Sequence, residues 1–382
     1  MKFAIVGCGY VADFYMSTLP NHAQLELTGF FDRNPERAQR FADFHHVRRY
    51  ESLEQLLQDP SVDLVANLTN PKSHFEVSMA ALRAGKHVYS EKPLALNLAD
   101  AQALADYATA QKLLLAGAPC NVLGESAQTI WKALRKQTIG TPRLVYAELD
   151  DGPVPYFNYK TWISESGAPW PYIDEFEVGC TFEHAGYWLG MLAAFFGPAK
   201  RITSFSHVLM QDKQVPLTMA SAPDFAVASI EYTSGVVARI TCSIYATHDH
   251  RLRIFGDGGT LSTDACWHYG SPVYSSVRTP LKMRLENRYP KLGRLAGLGP
   301  KKVPLVRPAS FRSSKGHNHM DFCRGMAEMA DSLKENRPCR LSAAWSLHVN
   351  ELVFAMQHPE QYGASHDMTS SFEVMAPMPW AK

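Results

Sequence analysis

The feature that most restricts this chain is the hexapeptide Gly7-Cys8-Gly9-Tyr10-Val11-Ala12, set directly behind the apolar run Phe3–Val6. Between a strand and a helix, a G-x-G-x-x-G/A spacing serves one geometry well. The first glycine permits a tight turn, the second lets backbone N–H groups approach a pyrophosphate, and a small third residue lets helix and sheet pack closely. The unpaired donors at the helix start then face the phosphates. Alone the motif is weak, because such glycines often serve only the turn. Here, however, the second apolar run ends at Asp32, where an acid meets the ribose hydroxyls of a bound dinucleotide. Asp32 repels a 2′-phosphate and so favours NAD over NADP. Arg33 beside it blurs that preference and keeps NADP open.

The surroundings support the motif. Apolar runs at 3–6, 25–31, 64–68, 87–89 and 113–116 alternate with amphipathic stretches at 11–20, 35–44, 52–58, 74–84 and 98–111. That alternation predicts a doubly wound parallel sheet, a Rossmann domain over residues 1–121. Residues 122–138 read as one helix. Beyond it, longer alternating runs (143–150, 201–208, 225–232, 236–245, 251–255) are broken by turn signals at 232–235 and 256–259. Residues 122–382 therefore read as an α+β domain with a mainly antiparallel, open-faced sheet, closed by helices at 317–336 and 342–357.

Hydrophobic residues make up 46% of the 382 and the formal net charge is +1, so the chain is globular with no bias toward nucleic acid. Seven scattered cysteines, without a C-x-x-C pair, argue against disulfides or structural zinc and for a reducing compartment. No signal-peptide plan is visible, and the longest apolar patch, 189–196, is about half of what a membrane helix needs. The expectation is a cytoplasmic protein. One anomaly is residues 278–315, with eleven Lys and Arg against a single acid, Glu286. This segment reads as a loop or arm, either solvated, in contact with another subunit, or facing an anionic partner such as a sugar phosphate or nucleotide-linked sugar.

The segment Ser90-Glu91-Lys92-Pro93-Leu94 is more specific. Together with the fingerprint, Thr69-Asn70-Pro71 and Ala84-Gly85-Lys86-His87-Val88, it resembles the glucose–fructose oxidoreductase / inositol dehydrogenase (Gfo/Idh/MocA) family. The resemblance is strong over residues 1–120 and looser beyond. It implies a Rossmann domain, an open-sheet domain that forms homodimers or homotetramers, and a lysine, here Lys92, at the hydroxyl or carbonyl being interconverted. An ammonium can share the carbinol proton and stabilise an alkoxide. Gly7, Gly9, Tyr10, Val11, Ala12, Asp32 and Arg33 are then expected at the cofactor. Thr69, Asn70, Pro71, His74, Glu91, Lys92 and Asn121 belong toward its nicotinamide end. A surface lysine in a turn is the plain alternative for Lys92.

Family members usually carry Asp-x-Gly-x-His or Asp-x-Gly-x-Tyr in the second domain. Counting back from Gly197 puts Glu183 at the acid and Tyr187 at the His/Tyr position, with Ala185 for the glycine. A one-residue shift nominates His184 instead. At helical spacing the three share a face, although Phe182, Tyr187 and Trp188 also fit a core stripe.

Aromatics crowd residues 152–176, bordered by Asp150, Asp151, Asp174, Glu175 and Glu177. Either they stack on a sugar, with Trp162 in contact, or they pack the loop. Substrate contacts are assigned to Lys92, Asn121, Trp162, Glu183, His184, Tyr187 and His317. His248 and His250 flank Asp249, and His317 and His319 flank Asn318; such spacing can bind metal, yet no acid or third histidine is placed convincingly, and no metal is expected. Three functions stay open: a sugar or polyol dehydrogenase, a redox-neutral enzyme that retains NAD, and a non-catalytic dinucleotide sensor.

Overall fold

A computed structural model describes residues 1–280, 283–284, 288–289, 299–308 and 320–382. His317, His319 and most of the basic segment lie outside the described residues.

The first half builds a five-stranded parallel sheet from β1 (Lys2–Val6), β2 (Glu26–Phe31), β3 (Leu64–Asn67), β4 (His87–Ser90) and β5 (Leu115–Gly117), in the order β2-β1-β3-β4-β5. Every side chain of β3 is buried, as a sheet covered by helices on both faces requires. The helices are α1 (Ala12–Thr18), α2 (Pro35–His45), α3 (Leu53–Gln58), α4 (His74–Arg83) and α5 (Leu98–Ala110). Asn34, Ser52 and Asn97 start α2, α3 and α5 by accepting N–H bonds three residues on. All ten elements fall where periodicity predicts them.

The stretch 122–138 is not one helix: a 3₁₀ turn at Asn121–Leu123 precedes α6 (Glu125–Arg135), because Gly124 breaks the run. Then come β6 (Pro142–Asp150), α7 (Tyr172–Val178) and a π-helical turn, Thr181–Ala185, that runs into α8 (Gly186–Phe196). Strands β7 (Ala199–His207), β8 (Phe225–Tyr232), β9 (Val237–Ser243), β10 (Leu252–Gly256), β11 (Gly259–Thr263), β12 (Val273–Val277) and β13 (Lys301–Val303) follow.

Next are α9 (Arg324–Lys334), α10 (Ala343–Gln357) and β14 (Ser365–Asp367). The nine strands run β13-β12-β11-β10-β6-β9-β8-β7-β14, antiparallel except for the central β6–β9 pair. In β8 buried and less buried residues alternate, so one face of the sheet packs on helices and the other is open.

Helix α10 binds the halves together. It packs on α5 and β5 of the first sheet and on β7 and α8 of the second. Asn350 Oδ1 accepts from Leu94 N at 2.9 Å, and Ser346 Oγ from Gly117 N at 3.0 Å. This joint fixes the cleft between the two halves. All seven cysteines are unpaired and buried. Among the described residues, no helix is long and apolar enough to cross a membrane.

Candidate active site

A cavity of about 700 Å³ opens at the carboxyl ends of the parallel strands, against α7, α8 and the aromatic loop. Ligands of open parallel sheets bind at such an edge. At one end sits the glycine turn. Gly7 has φ +94°, and a Cβ there would stand 2.7 Å from the Leu68 carbonyl oxygen. A Cβ on Gly9 would meet only the Arg37 guanidinium, at 3.9 Å. The turn is thus a cradle that side-chain atoms would fill, which fits a pyrophosphate.

Asp32 Oδ2 accepts from Cys8 N at 2.9 Å and Oδ1 from Asn34 N at 2.7 Å, which ties the carboxylate to the turn. Arg33 is exposed and off the cleft wall. Arg37, which sequence reasoning missed, lines the cleft, 3.7 Å from Asp32 Oδ2. Its signal was position alone: it lies in the first turn of α2, and its guanidinium reaches to within 3.9 Å of where a Gly9 Cβ would stand.

Thr69, Asn70, Pro71, Glu91 and Lys92 line the middle of the cleft. Asn70 Nδ2 donates to Asp174 of α7, and Lys72 Nζ to Glu177 Oε2 at 2.6 Å, so both clamp the two halves. His74 borders the cavity but works as a brace: Nδ1 lies 2.6 Å from Pro93 O and Nε2 2.8 Å from Thr69 O. Asn121 corrects the expectation further. It is buried behind the wall, and its amide donates to Tyr187 O at 3.1 Å and Cys266 O at 3.3 Å, because the 3₁₀ turn faces the protein interior.

Lys92 Nζ donates to the Glu183 carboxylate across the cleft. Burial opposes charge on Lys92, but Glu183 and Glu91 more than offset it and hold the ammonium above its ordinary range. Tyr187 is buried, with its ring edge toward Trp267 at 5.7 Å, and burial pushes its phenol up so that it stays protonated. The π turn, a wider coil often found at functional sites, brings residues 183, 184 and 187 onto one wall. The register question therefore has no single winner, since Glu183, His184 and Tyr187 all line the cleft.

His184 Nδ1 is 2.9 Å from Asp151 Oδ2, and Nε2 is 3.7 Å from Glu175 Oε1. Burial disfavours its charge, yet Glu175 and Asp151 outweigh this and raise its pKa to about 9. Burial lifts the Glu175 carboxyl above the usual range. Asp151, and not the intervening Asp249, faces the His248/His250 pair: its Oδ1 is 2.7 Å from His250 Nε2 and 4.0 Å from His248 Nδ1, while Asp249 pairs with Arg251.

A model for an oxidoreductase family with an NAD-binding Rossmann fold matches residues 1–117, and one for the GFO/IDH/MocA C-terminal domain matches residues 127–262. The chain belongs to the Gfo/Idh/MocA oxidoreductase family. It is similar to the myo-inositol 2-dehydrogenase of Thermotoga maritima, 24% identical over 267 residues, covering 69% of this chain and 75% of that one. It also resembles the UDP-N-acetylglucosamine 3-dehydrogenase of Acidithiobacillus ferrooxidans, 32% identical over 148 residues, 39% and 45% of the two chains. Among solved structures, an aldose–aldose oxidoreductase from Caulobacter crescentus in complex with glycerol superposes with a TM-score of 0.74 at 18% identity, covering 96% of this chain and 99% of that one.

The first domain of this Gfo/Idh/MocA member is thus an NAD-binding Rossmann domain. Its aromatic loop divides between the two readings. Trp162, Trp170 and Tyr172 line the cleft, whereas Tyr159 and Phe176 are core. Asp151, Asp174 and Glu175 were noted in sequence only as a border and are lining residues here. Trp267 and His268 complete the wall, and no sequence pattern marked them.

Proposed function

We propose that this cleft interconverts a secondary alcohol and a ketone on a sugar, sugar derivative or polyol, with NAD(P) as redox partner. The observation that carries the reading is the Lys92 ammonium held on Glu183 inside the cleft, with Tyr187 on the same wall. Gly7, Gly9, Tyr10, Val11 and Ala12 would cradle the pyrophosphate, Asp32 and Arg37 the adenosine end, and Thr69, Asn70, Pro71 and Glu91 the nicotinamide half. When bound, the nicotinamide accepts or returns a hydride.

The chain's own residues handle the oxygen and its proton. In the oxidising direction, Lys92 Nζ takes the carbinol proton as one of its own passes to the Glu183 carboxylate. The ammonium is left donating to the new carbonyl oxygen. Tyr187, kept as a phenol by burial, orients a neighbouring hydroxyl. Trp162 and Trp170 offer apolar faces to the C–H side of a ring.

The substrate half of the cleft is rich in acids (Asp151, Asp174, Glu175 and Glu183), which disfavours a phosphate there. A free sugar or polyol, or one whose phosphate or nucleotide projects outward, is the better fit. The relatives that act on inositol and on a UDP-sugar support both options.

The open face of the second sheet supports a homodimer or homotetramer. Phe205 and Val237 are exposed there, and Tyr146 lies under the guanidiniums of Arg239 and Arg253 at 4.6 and 5.6 Å. The seven free thiols support a reducing, cytoplasmic setting.

A panel of free, phosphorylated and nucleotide-linked sugars, followed by NAD(P)H absorbance, tests the reaction. Lys92→Ala should lose about a hundredfold or more. Near-wild-type turnover in that variant would remove Lys92 from the chemistry, and a single-turnover burst without net NADH would instead indicate a redox-neutral outcome.

A further inference from the structure

Strand β6 ends at Asp150, and the segment leading into β10 runs beside it. Asp150 N donates to Asp249 O at 3.0 Å and Asp249 N to Asp150 O at 2.9 Å. This two-bond ladder presents Asp151 to the histidines on either side of Asp249. The ligand atoms of Asp151, His248 and His250 all lie within 4.8 Å of one another. His184 approaches the other oxygen of Asp151, with Nδ1 and Oδ2 2.9 Å apart.

That last contact is close but misdirected for a hydrogen bond. Both atoms are buried, and neither has a hydrogen-bond partner. Their opposite charges offset one another, and His184 holds Asp151 Oδ2 while Oδ1 faces the other two histidines.

We propose that Asp151, His248 and His250 form a binding site for a divalent transition metal of the zinc class, with a further position open to water or substrate. Imidazole nitrogens and a carboxylate oxygen suit such an ion, which takes them at about 2.0–2.1 Å. In a tetrahedron those bonds set neighbouring ligand atoms roughly 3.3 Å apart. Asp151 Oδ1 lies 2.7 Å from His250 Nε2 and 4.0 Å from His248 Nδ1, on either side of that value. Trp267 sits edge-on to His250 at 4.5 Å and to His184 at 5.8 Å, holding both rings. The exposed His248 offers the path of entry. Asp151 and His184 also line the cleft, so the ion would stand in its wall, with any open position directed at the substrate's oxygens. The proposal does not depend on the hydride chemistry.

The test uses the full chain after chelator treatment, titrated with ZnCl2 by calorimetry and with CoCl2 by visible absorption. One equivalent of zinc, with the visible cobalt bands of a four-coordinate site, is expected. His248→Ala, at an exposed position, should keep the fold and NAD affinity and weaken zinc about tenfold or more. His250→Gln should do likewise, and His358→Ala, on the far helix end, should change nothing. Absence of saturable binding in the wild type, or equal zinc affinity in wild type and His248→Ala, overturns the site. Either result leaves the NAD-linked reading standing, because neither readout involves turnover.

Discussion

Lys92 and Glu183 lie 91 residues apart in sequence and form an ion pair across the cleft, one from the end of β4 and the other from the π turn ahead of α8. Neither domain contains the pair by itself. The charge on the lysine is set by a residue of the other half, and this makes its proton affinity sensitive to how the halves dock. Glu183 is the largest charge opposing burial at Lys92, so its loss would let the Lys92 pKa fall.

This coupling has a direct consequence for Glu183→Gln. Losing the carboxylate removes the main charge holding Lys92 protonated, so its pKa should fall. In the ketone-reducing direction the enzyme needs the ammonium, and activity is lost as pH rises through the lysine pKa. The alkaline limb of the pH–kcat profile should therefore move to lower pH in the variant, with kcat at neutral pH down about tenfold to a hundredfold. An unmoved alkaline limb would mean that Lys92 is not the titrating donor.

Tyr187→Phe isolates the hydroxyl from the ring. The ring packs against Trp267 and the phenol is kept neutral by burial, so the variant should fold normally. Loss of one positioning hydrogen bond should lower kcat/KM about tenfold, in line with 1–2 kcal/mol for a single neutral contact. Unchanged kcat/KM across the sugar panel would return Tyr187 to the role of a core aromatic.

The two glycines of the fingerprint should separate stability from binding. Gly7→Ala forces a Cβ to 2.7 Å from the Leu68 carbonyl at φ +94°, a strain with no flexible neighbour to relieve it. The expected cost is about 1–3 kcal/mol of stability, read as a lower denaturant midpoint. In Gly9→Ala the Cβ meets only the end of Arg37, so stability should be nearly unchanged. That methyl would occupy the cradle instead, so NAD affinity should drop at least about tenfold. Equal stability losses in the two variants would contradict this division.

What was legible in the sequence follows from range. The strands and helices of the Rossmann half are marked by local periodicity, and the glycine turn, Asp32 and Lys92 by motifs within a few residues of an element end. The acid partner of the His248/His250 pair was not legible, because Asp151 is 99 residues from His250 and meets it only through the pairing of strand ends. Asn121 misled for the opposite reason: its place at the end of the sheet suggested contact with ligand, whereas the 3₁₀ turn directs its amide inward onto Tyr187 O and Cys266 O. Gly124 breaks the 122–138 helix, and a single glycine inside an apolar period does not by itself mark a break.

Glu351 gives the pH dependence of the fold itself. It lies on α10, fully buried, and accepts from His366 Nε2 at 2.8 Å, Thr369 N and Oγ1 at 2.7 Å each, Ser370 N at 2.8 Å, and Ser370 Oγ. Burial raises its pKa, but these donors outweigh burial and hold it at about 2, below an ordinary 4.5. A depressed carboxylate adds stability that is complete above its unfolded pKa and is lost as pH falls toward the folded one. At about 1.4 kcal/mol per unit, the contribution is on the order of 3 kcal/mol at neutral pH. It anchors the C-terminal segment, whose strand β14 closes the edge of the second sheet on β7. Glu351→Gln should therefore unfold at lower denaturant than wild type at pH 7, and the gap should narrow between pH 4.5 and pH 3 as the wild type loses its advantage. A gap of constant size over that range would show that the carboxylate's charge is not what holds the segment.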